Sequence, residues 1–171
     1  APGAAGIGAI YLELGAPGMS FGKREQLMGF RGVPSRDIFF DDAEIPAENI
    51  VVPAGKFKEL MKTFGVERCG NTTMSVAGAA AALEYAIEYV QTRKQFGKPI
   101  VEFQAVQLRL ADMAMRVEAA RLLLYRAAAN AAAGIPSLKD ISIAKCYANE
   151  IVREVCANGV QLMGAYGFNK E

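Results

Sequence analysis

The placement of proline, glycine and alanine limits this chain more than any other feature of it. Five of the seven prolines and nine of the seventeen glycines fall in residues 1–55, whereas 21 of the 29 alanines lie after residue 70. Proline has no amide proton to give a helix, and alanine is the best helix former. The chain therefore reads as an irregular, strand-bearing part joined near residue 55 to a helical part.

In the first part Ile7–Leu14 is rich in β-forming residues and stops at the turn Gly15-Ala16-Pro17-Gly18. Ser35–Ile45 reads as a second strand, ended by Pro46. So few strands cannot cover their own apolar face, so this region is expected to be a piece of a β domain.

The second part carries helical periodicity. Val76, Ala79, Leu83, Ile87 and Val90 recur at three- or four-residue steps, and that helix must stop by Gly97 and Pro99. Val106, Leu110, Met113, Val117, Ala120 and Leu124 mark a second helix. A further stripe on it, Leu108, Ala111, Met115 and Leu122, predicts burial between two neighbours in a larger bundle or between subunits. The Ala-rich run Ala127–Ala133 reads as its end, with Gly134 at the C′ position and Pro136 beyond. Ser137 and Asp140 form a capping box for a third helix, striped by Ile141, Ala144, Ala148, Ile151 and Val155 and ending near Gly164–Gly167. These three long antiparallel helices leave a bundle unclosed.

Charge and composition remove several functions. Nineteen basic against eighteen acidic residues leave a net charge of +1, too little to hold a nucleic acid. The absence of histidine excludes His-based triads and metal sites, and no metal is expected. Cys69, Cys146 and Cys156 form no CxxC pair and suit a reducing, cytoplasmic setting. The longest apolar run, Met74–Leu83, is too short for a membrane span, and no basic segment opens the chain as a signal peptide would.

Read from residue chemistry alone, few groups stand out. Arg93-Lys94-Gln95-Phe96-Gly97-Lys98 places three cations at a helix C-terminus, which either complements the helix dipole or clamps a phosphate. Glu67-Arg68, in a segment interrupted by Gly65 and Gly70, is either a surface ion pair or, if walled by Phe64 and other apolar groups, a base. Gln161–Gly167 is either a helix terminator or bare backbone for a cofactor. Gly3–Gly8 lacks the preceding strand and the GxGxxG spacing of a dinucleotide loop.

Together these strings resemble the acyl-CoA dehydrogenase family. The resemblance runs through Arg93-Lys94-Gln95-Phe96-Gly97-Lys98-Pro99-Ile100, Phe103-Gln104-Ala105, Leu110-Ala111-Asp112-Met113, Glu118-Ala119-Ala120-Arg121 and Tyr125-Arg126-Ala127-Ala128. Ala144-Lys145 and Gln161-x-x-Gly164-x-Tyr166-Gly167 complete the second part. In the first part, Gly15-x-Pro17-Gly18, Arg31-Gly32 and Phe40-x-Asp42-x-x-Ile45-Pro46-x-Glu48-Asn49 are similar to the end of that family's middle β domain. The resemblance implies a mainly α fold. An antiparallel up-and-down helical bundle at 54–171, incomplete, would follow the C-terminal part of a middle β domain at 1–53.

It also implies an FAD-dependent enzyme that removes a proton and a hydride from the α and β carbons of an acyl-CoA thioester, giving a 2-enoyl-CoA. Electrons would pass to an electron-transfer flavoprotein, and the enzyme would be a homotetramer or dimer sharing flavin between subunits. Arg93 would hold the FAD diphosphate of a neighbouring subunit, with Phe96 and Gln104 beside the flavin nucleotide. Gln161, Leu162, Met163, Gly164 and Ala165 would meet its adenosine part. Phe64 and Arg68 would lie on the acyl-CoA side.

Glu67 would be the base by likeness to isovaleryl- and long-chain-type members. The competing reading makes Glu67 a structural or substrate-polarity residue and puts the base beyond Glu171. The sequence departs from the family at Gly65, where an aspartate is usual, at Ala165 for the second glycine of a pair, and at Gly55-Lys56-Phe57, one residue shorter than usual. These departures suggest an uncommon substrate. The 171 residues by themselves are expected to be inactive. Two other readings are a non-catalytic helical interaction module and an acyl-CoA oxidase or enoyl-CoA reductase of the same fold.

Overall fold

The computed structural model of the chain describes residues 3–132 and 134–169. The outermost residues of the expected spans, and Ala133 in the Ala-rich run, lie outside the described residues. The chain divides into two compact units, Ala1–Leu60 and Met61–Glu171.

The first unit holds two small antiparallel ladders. β1 (Ala9–Ile10) pairs with β4 (Ile50–Val52), and β2 (Met19–Phe21) pairs with β3 (Ile38–Phe40). The two expected strands are therefore much shorter than Ile7–Leu14 and Ser35–Ile45, and β2 and β4 are additional. The physical reason is partner availability: the register shifts between Ala9 and Ile10, and past Ile10 it is Tyr11 N–H that reaches across, to the Asn49 carbonyl at 2.8 Å. At the other ladder Asp42 turns left-handed (φ 44°) just past β3. Gly18 (φ 78°) makes the tight return in which its carbonyl accepts Asp41 N–H at 2.8 Å. Phe39, Phe40, Ile50 and Val51 remain exposed, as expected of β strands without a second layer.

The second unit is built on α1 (Phe57–Thr92), α2 (Gln104–Ala129) and α3 (Leu138–Met163), running up, down and up. The three striped faces meet in one core. Val76, Ala79 and Ala86 of α1 face Met113, Val117, Ala120 and Leu124 of α2 and Ile141, Ala144, Ala148, Ile151 and Val155 of α3. Small residues permit close approach: a side chain built on Gly159 of α3 would come within 3.4 Å of the Ala82 carbonyl of α1. Polar contacts fix the register. Arg116 of α2 donates to Asp112 at 2.7 Å and to Glu154 of α3. Ser75 donates to Asn149 Oδ1 at 2.7 Å, and Asn149 Nδ2 donates to Asn71 at 3.3 Å.

Two helical expectations are corrected. α1 runs unbroken through Gly65 and Gly70. Gly65 is buried, and a Cβ there would lie 3.7 Å from the Pro136 carbonyl, an ordinary contact, so the helix carries glycine's cost of about 1 kcal/mol without the site demanding glycine. α2 ends at Ala129, so Gly134 is not its C′ residue. Gly134 (φ 77°) turns the chain between the bridged Ala132 and Ile135. The stripe Leu108, Met115 and Leu122 is 58–65% exposed in this chain. The Ser137 cap is as expected, its hydroxyl accepting Asp140 N–H at 3.1 Å. Among the described residues no helix is long and apolar enough to cross a membrane.

Candidate functional site

Arg93 stands at the C-terminal end of α1, as its position in the sequence led one to expect. α1 stops at Thr92, and the next residues fold back as a hairpin of β5 (Lys94–Gln95) and β6 (Lys98–Pro99). Phe96 (φ 52°) and Gly97 (φ 83°) occupy its two-residue loop, both left-handed as a type I′ turn requires. The hairpin anchors Arg93 at both ends of its backbone. Its N–H donates to Tyr89 in the last helical turn at 2.9 Å, and its carbonyl accepts Ile100 N–H at 2.8 Å. The Arg93 side chain has no hydrogen-bond or ion-pair partner among the described residues and stays exposed.

α1 and α3 are parallel, so their C-terminal ends lie together. α3 closes at Gly164 (φ 60°, ψ −134°), a conformation that a side chain resists, and a 3-10 turn covers Gly164–Phe168. This brings Gln161, Leu162, Met163, Gly164 and Ala165 to the same shallow hollow as Arg93, about 260 Å³ in volume. Tyr89, Gln95, Ile100 and Tyr166 complete its lining; the last three lie inside strings marked from the sequence, though none was given a site role of its own, and Tyr89 lies in none of them. Tyr89 was within reach of helical arithmetic, being one turn before Arg93. Gln95 and Ile100 become neighbours only through the hairpin.

Phe96 and Gln104 do not line this hollow. Phe96 stands 92% exposed, edge-on to Phe103 at 6.1 Å, and Lys98 Nζ lies 4.5 Å from the Phe103 ring centre. Gln104 follows as the first residue of α2.

The remaining expected residues sit elsewhere. Phe64, Glu67 and Arg68 lie on the N-terminal half of α1, and from Arg68 to Thr92 the helix rises about 36 Å. Glu67 is exposed and Phe64 is 39% exposed, so the described residues do not build the apolar wall a raised carboxylate would need. Arg68 is half-buried. One of its terminal nitrogens, Nη1, is sealed from solvent and has no hydrogen-bond partner. Among the described residues no group of three His, Cys, Asp or Glu is placed to hold a metal ion.

The family model of the acyl-CoA dehydrogenase C-terminal domain matches residues 57–171. The chain belongs to the acyl-CoA dehydrogenases. It is 44% identical over 170 residues to the caffeyl-CoA reductase–Etf complex subunit CarC of Acetobacterium woodii, covering 99% of this chain and 45% of that one. Its fold matches butyryl-CoA dehydrogenase from Megasphaera elsdenii at a TM-score of 0.92 and 41% identity, over 98% of this chain and 44% of that one. PigA with FAD and proline superposes at a TM-score of 0.90 and 29% identity, again over 98% and 44%. The chain thus spans less than half the length of the relatives it matches, and corresponds to the C-terminal part of acyl-CoA dehydrogenases.

Tested against this family's flavin, the Arg93 hollow suits part of a dinucleotide. A free guanidinium matches the paired oxygens of a diphosphate, and Gly164 and Ala165 expose backbone beside it. Its volume lies below the range for drug-sized ligands, so it has room for one portion of such a molecule, not the whole.

Proposed function

We propose that this chain provides the FAD diphosphate and adenosine seat, and part of the acyl-CoA-facing surface, of an FAD-dependent acyl-CoA dehydrogenase. The reaction is α,β-dehydrogenation of an acyl-CoA thioester to a 2-enoyl-CoA, with electrons passed to an electron-transfer flavoprotein. The observation that carries the reading is the convergence of Arg93 with Gln161–Ala165, 68 residues later, on one hollow. When bound, FAD supplies the hydride acceptor. Arg93 would hold its diphosphate, and the backbone at Gly164–Ala165 would admit the adenosine. Phe96, in the hairpin loop, and Gln104, at the start of α2, would meet the nucleotide from a second side.

Glu67 is proposed to take the α-proton on a carboxylate oxygen, with Phe64 and Arg68 against the acyl-CoA. An α-proton is too weakly acidic for a carboxylate unless the thioester carbonyl is also hydrogen-bonded. The 171 residues by themselves are therefore expected to show no acyl-CoA-dependent dye reduction.

The same geometry favours a homo-oligomer, a tetramer or dimer. At about 3.5 Å per three bonds, the linker between the diphosphate and the flavin ring spans only about 10 Å. That is far short of the roughly 36 Å that separate Arg68 from the end of α1. A flavin seated at Arg93 of one copy therefore serves the Glu67 side of another. The expected setting is the cytoplasm.

The test is flavin retention. Arg93→Ala is expected to lower FAD affinity ten- to hundredfold, the scale of a lost charge-assisted bidentate contact. Equilibrium dialysis followed by flavin absorbance reads it, and unchanged affinity would defeat the proposed seat. The relative named as a caffeyl-CoA reductase–Etf complex subunit favours a second reading, reduction of an enoyl-CoA by the same site. Turnover of an enoyl-CoA with reduced electron-transfer flavoprotein, faster than acyl-CoA oxidation, would select it.

A further inference from the structure

The Arg93 hollow shares Tyr89 and Met163 with a second, of about 350 Å³, whose other walls are Tyr85, Glu88 and Thr92 of α1. The two hollows offer opposite chemistry. At the first stands a free guanidinium. At the second the Glu88 carboxylate has no hydrogen-bond or ion-pair partner among the described residues. Thr92 gives its hydroxyl proton to the backbone, to the Tyr89 carbonyl at 3.1 Å and the Glu88 carbonyl at 3.3 Å, so only its lone pairs are left for a ligand. Glu88 and Thr92 thus present acceptors without a cation between them. The Tyr89 and Tyr166 rings mark the boundary, 6.1 Å apart and tilted by 50°.

A phosphate is drawn to the first hollow and repelled from the second. A sugar hydroxyl is suited to the second, because a carboxylate takes hydrogen bonds from a vicinal diol. We propose that the Tyr85–Glu88–Thr92 hollow reads the ribose of the adenine nucleotide seated at Arg93. It admits an adenosine with free 2′- and 3′-hydroxyls and turns away one phosphorylated there. The inference rests on the flavin reading of the Arg93 hollow and adds a selectivity to it. Such an enzyme meets two ligands that contain ADP. The adenosine of FAD carries free hydroxyls, whereas that of coenzyme A carries a 3′-phosphate. Glu88 is then the residue that keeps the substrate's nucleotide out of the cofactor's place.

The experiment titrates the purified, flavin-free protein by calorimetry with ADP and with ADP bearing a 3′-phosphate. ADP is expected to bind at least about tenfold more tightly, since a phosphate dianion beside a carboxylate is opposed by this order even in high dielectric. Glu88→Gln should bring the two within about threefold, because the phosphorylated ligand gains once the repulsion is gone while ADP loses a charged acceptor for its ribose hydroxyls. Molar salt should shrink the wild-type difference, because charge repulsion at an exposed site is screened. Equal affinities in the wild type, or a difference that survives in Glu88→Gln, would overturn the proposal. If ADP binding depends on Arg93 yet shows no such difference, the ribose selectivity falls and the flavin seat stands. If neither nucleotide binds, both fall.

Discussion

A sealed guanidinium nitrogen is expensive, and Arg68 has one. A buried donor left unmade costs about 1–3 kcal/mol, and nothing among the described residues accepts from its Nη1. The acid beside it is exposed and free of any ion pair among the described residues, so the two neighbours do not satisfy each other. That is the opposite of the surface pair suggested by adjacency alone. If Glu67 takes the α-proton, Glu67→Gln should slow exchange of the substrate's α-hydrogen with solvent at least a hundredfold, the scale of a lost general base. Flavin content should be unchanged, because Arg93 and Gln161–Ala165, not Glu67, are the residues proposed to hold the nucleotide. Proton NMR of acyl-CoA in deuterated buffer reads the exchange. Full exchange in the variant would assign the base to another residue.

At the scale of elements, what was legible depended on whether the cause lay nearby in sequence. The stripe of α3 and its Ser137 cap were readable because periodicity and capping act over three or four residues. The five striped residues are all buried. The continuity of α1 was not readable, since Gly65 is buried beside Pro136, seventy-one residues away, and that burial leaves no local mark in the sequence. The hairpin after α1 was missed for another reason: an aromatic side chain at positive φ is unusual, and Phe96 adopts it only because Gly97 completes the turn. Arg93 and the Gln161–Ala165 run could be named from motif likeness, but their meeting required the parallel ends of α1 and α3. Ser137→Ala offers a direct check on the legible part. Losing the acceptor for Asp140 N–H should cost about 1 kcal/mol in chemical denaturation. A loss below about 0.3 kcal/mol would mean that the Arg126–Asp140 contact, at 3.8 Å, and the preceding turn hold the helix start without the cap.

For the molecule as a whole, composition fixes the pH range over which it is sensitive. With no histidine in the chain, no side chain of ordinary pKa titrates between about pH 6 and 8, so stability should be flat there. The alkaline side is different. Burial pushes the Cys69 and Cys156 thiols above their ordinary value of 9.0, because a thiolate is poorly solvated there. The folded state thus keeps these protons longer than the unfolded chain does. Below pH 9 both states hold them and the thiols leave stability unaltered. As pH rises through 9 the unfolded chain ionises first, and stability declines until the folded thiols ionise too. Tyrosines and lysines also titrate in this range, so the comparison must be between proteins at matched pH. The difference in Tm between wild type and the Cys69→Ala, Cys156→Ala double variant should narrow or reverse from pH 8 to pH 10. Cavity loss shifts the variant's Tm equally at both values, whereas thiol ionisation weakens only the wild type. A Tm difference independent of pH would show that the two thiols are not held in their protonated form. A thiol-reactive dye gives the second readout at pH 8, where exposed Cys146 should react well ahead of the other two.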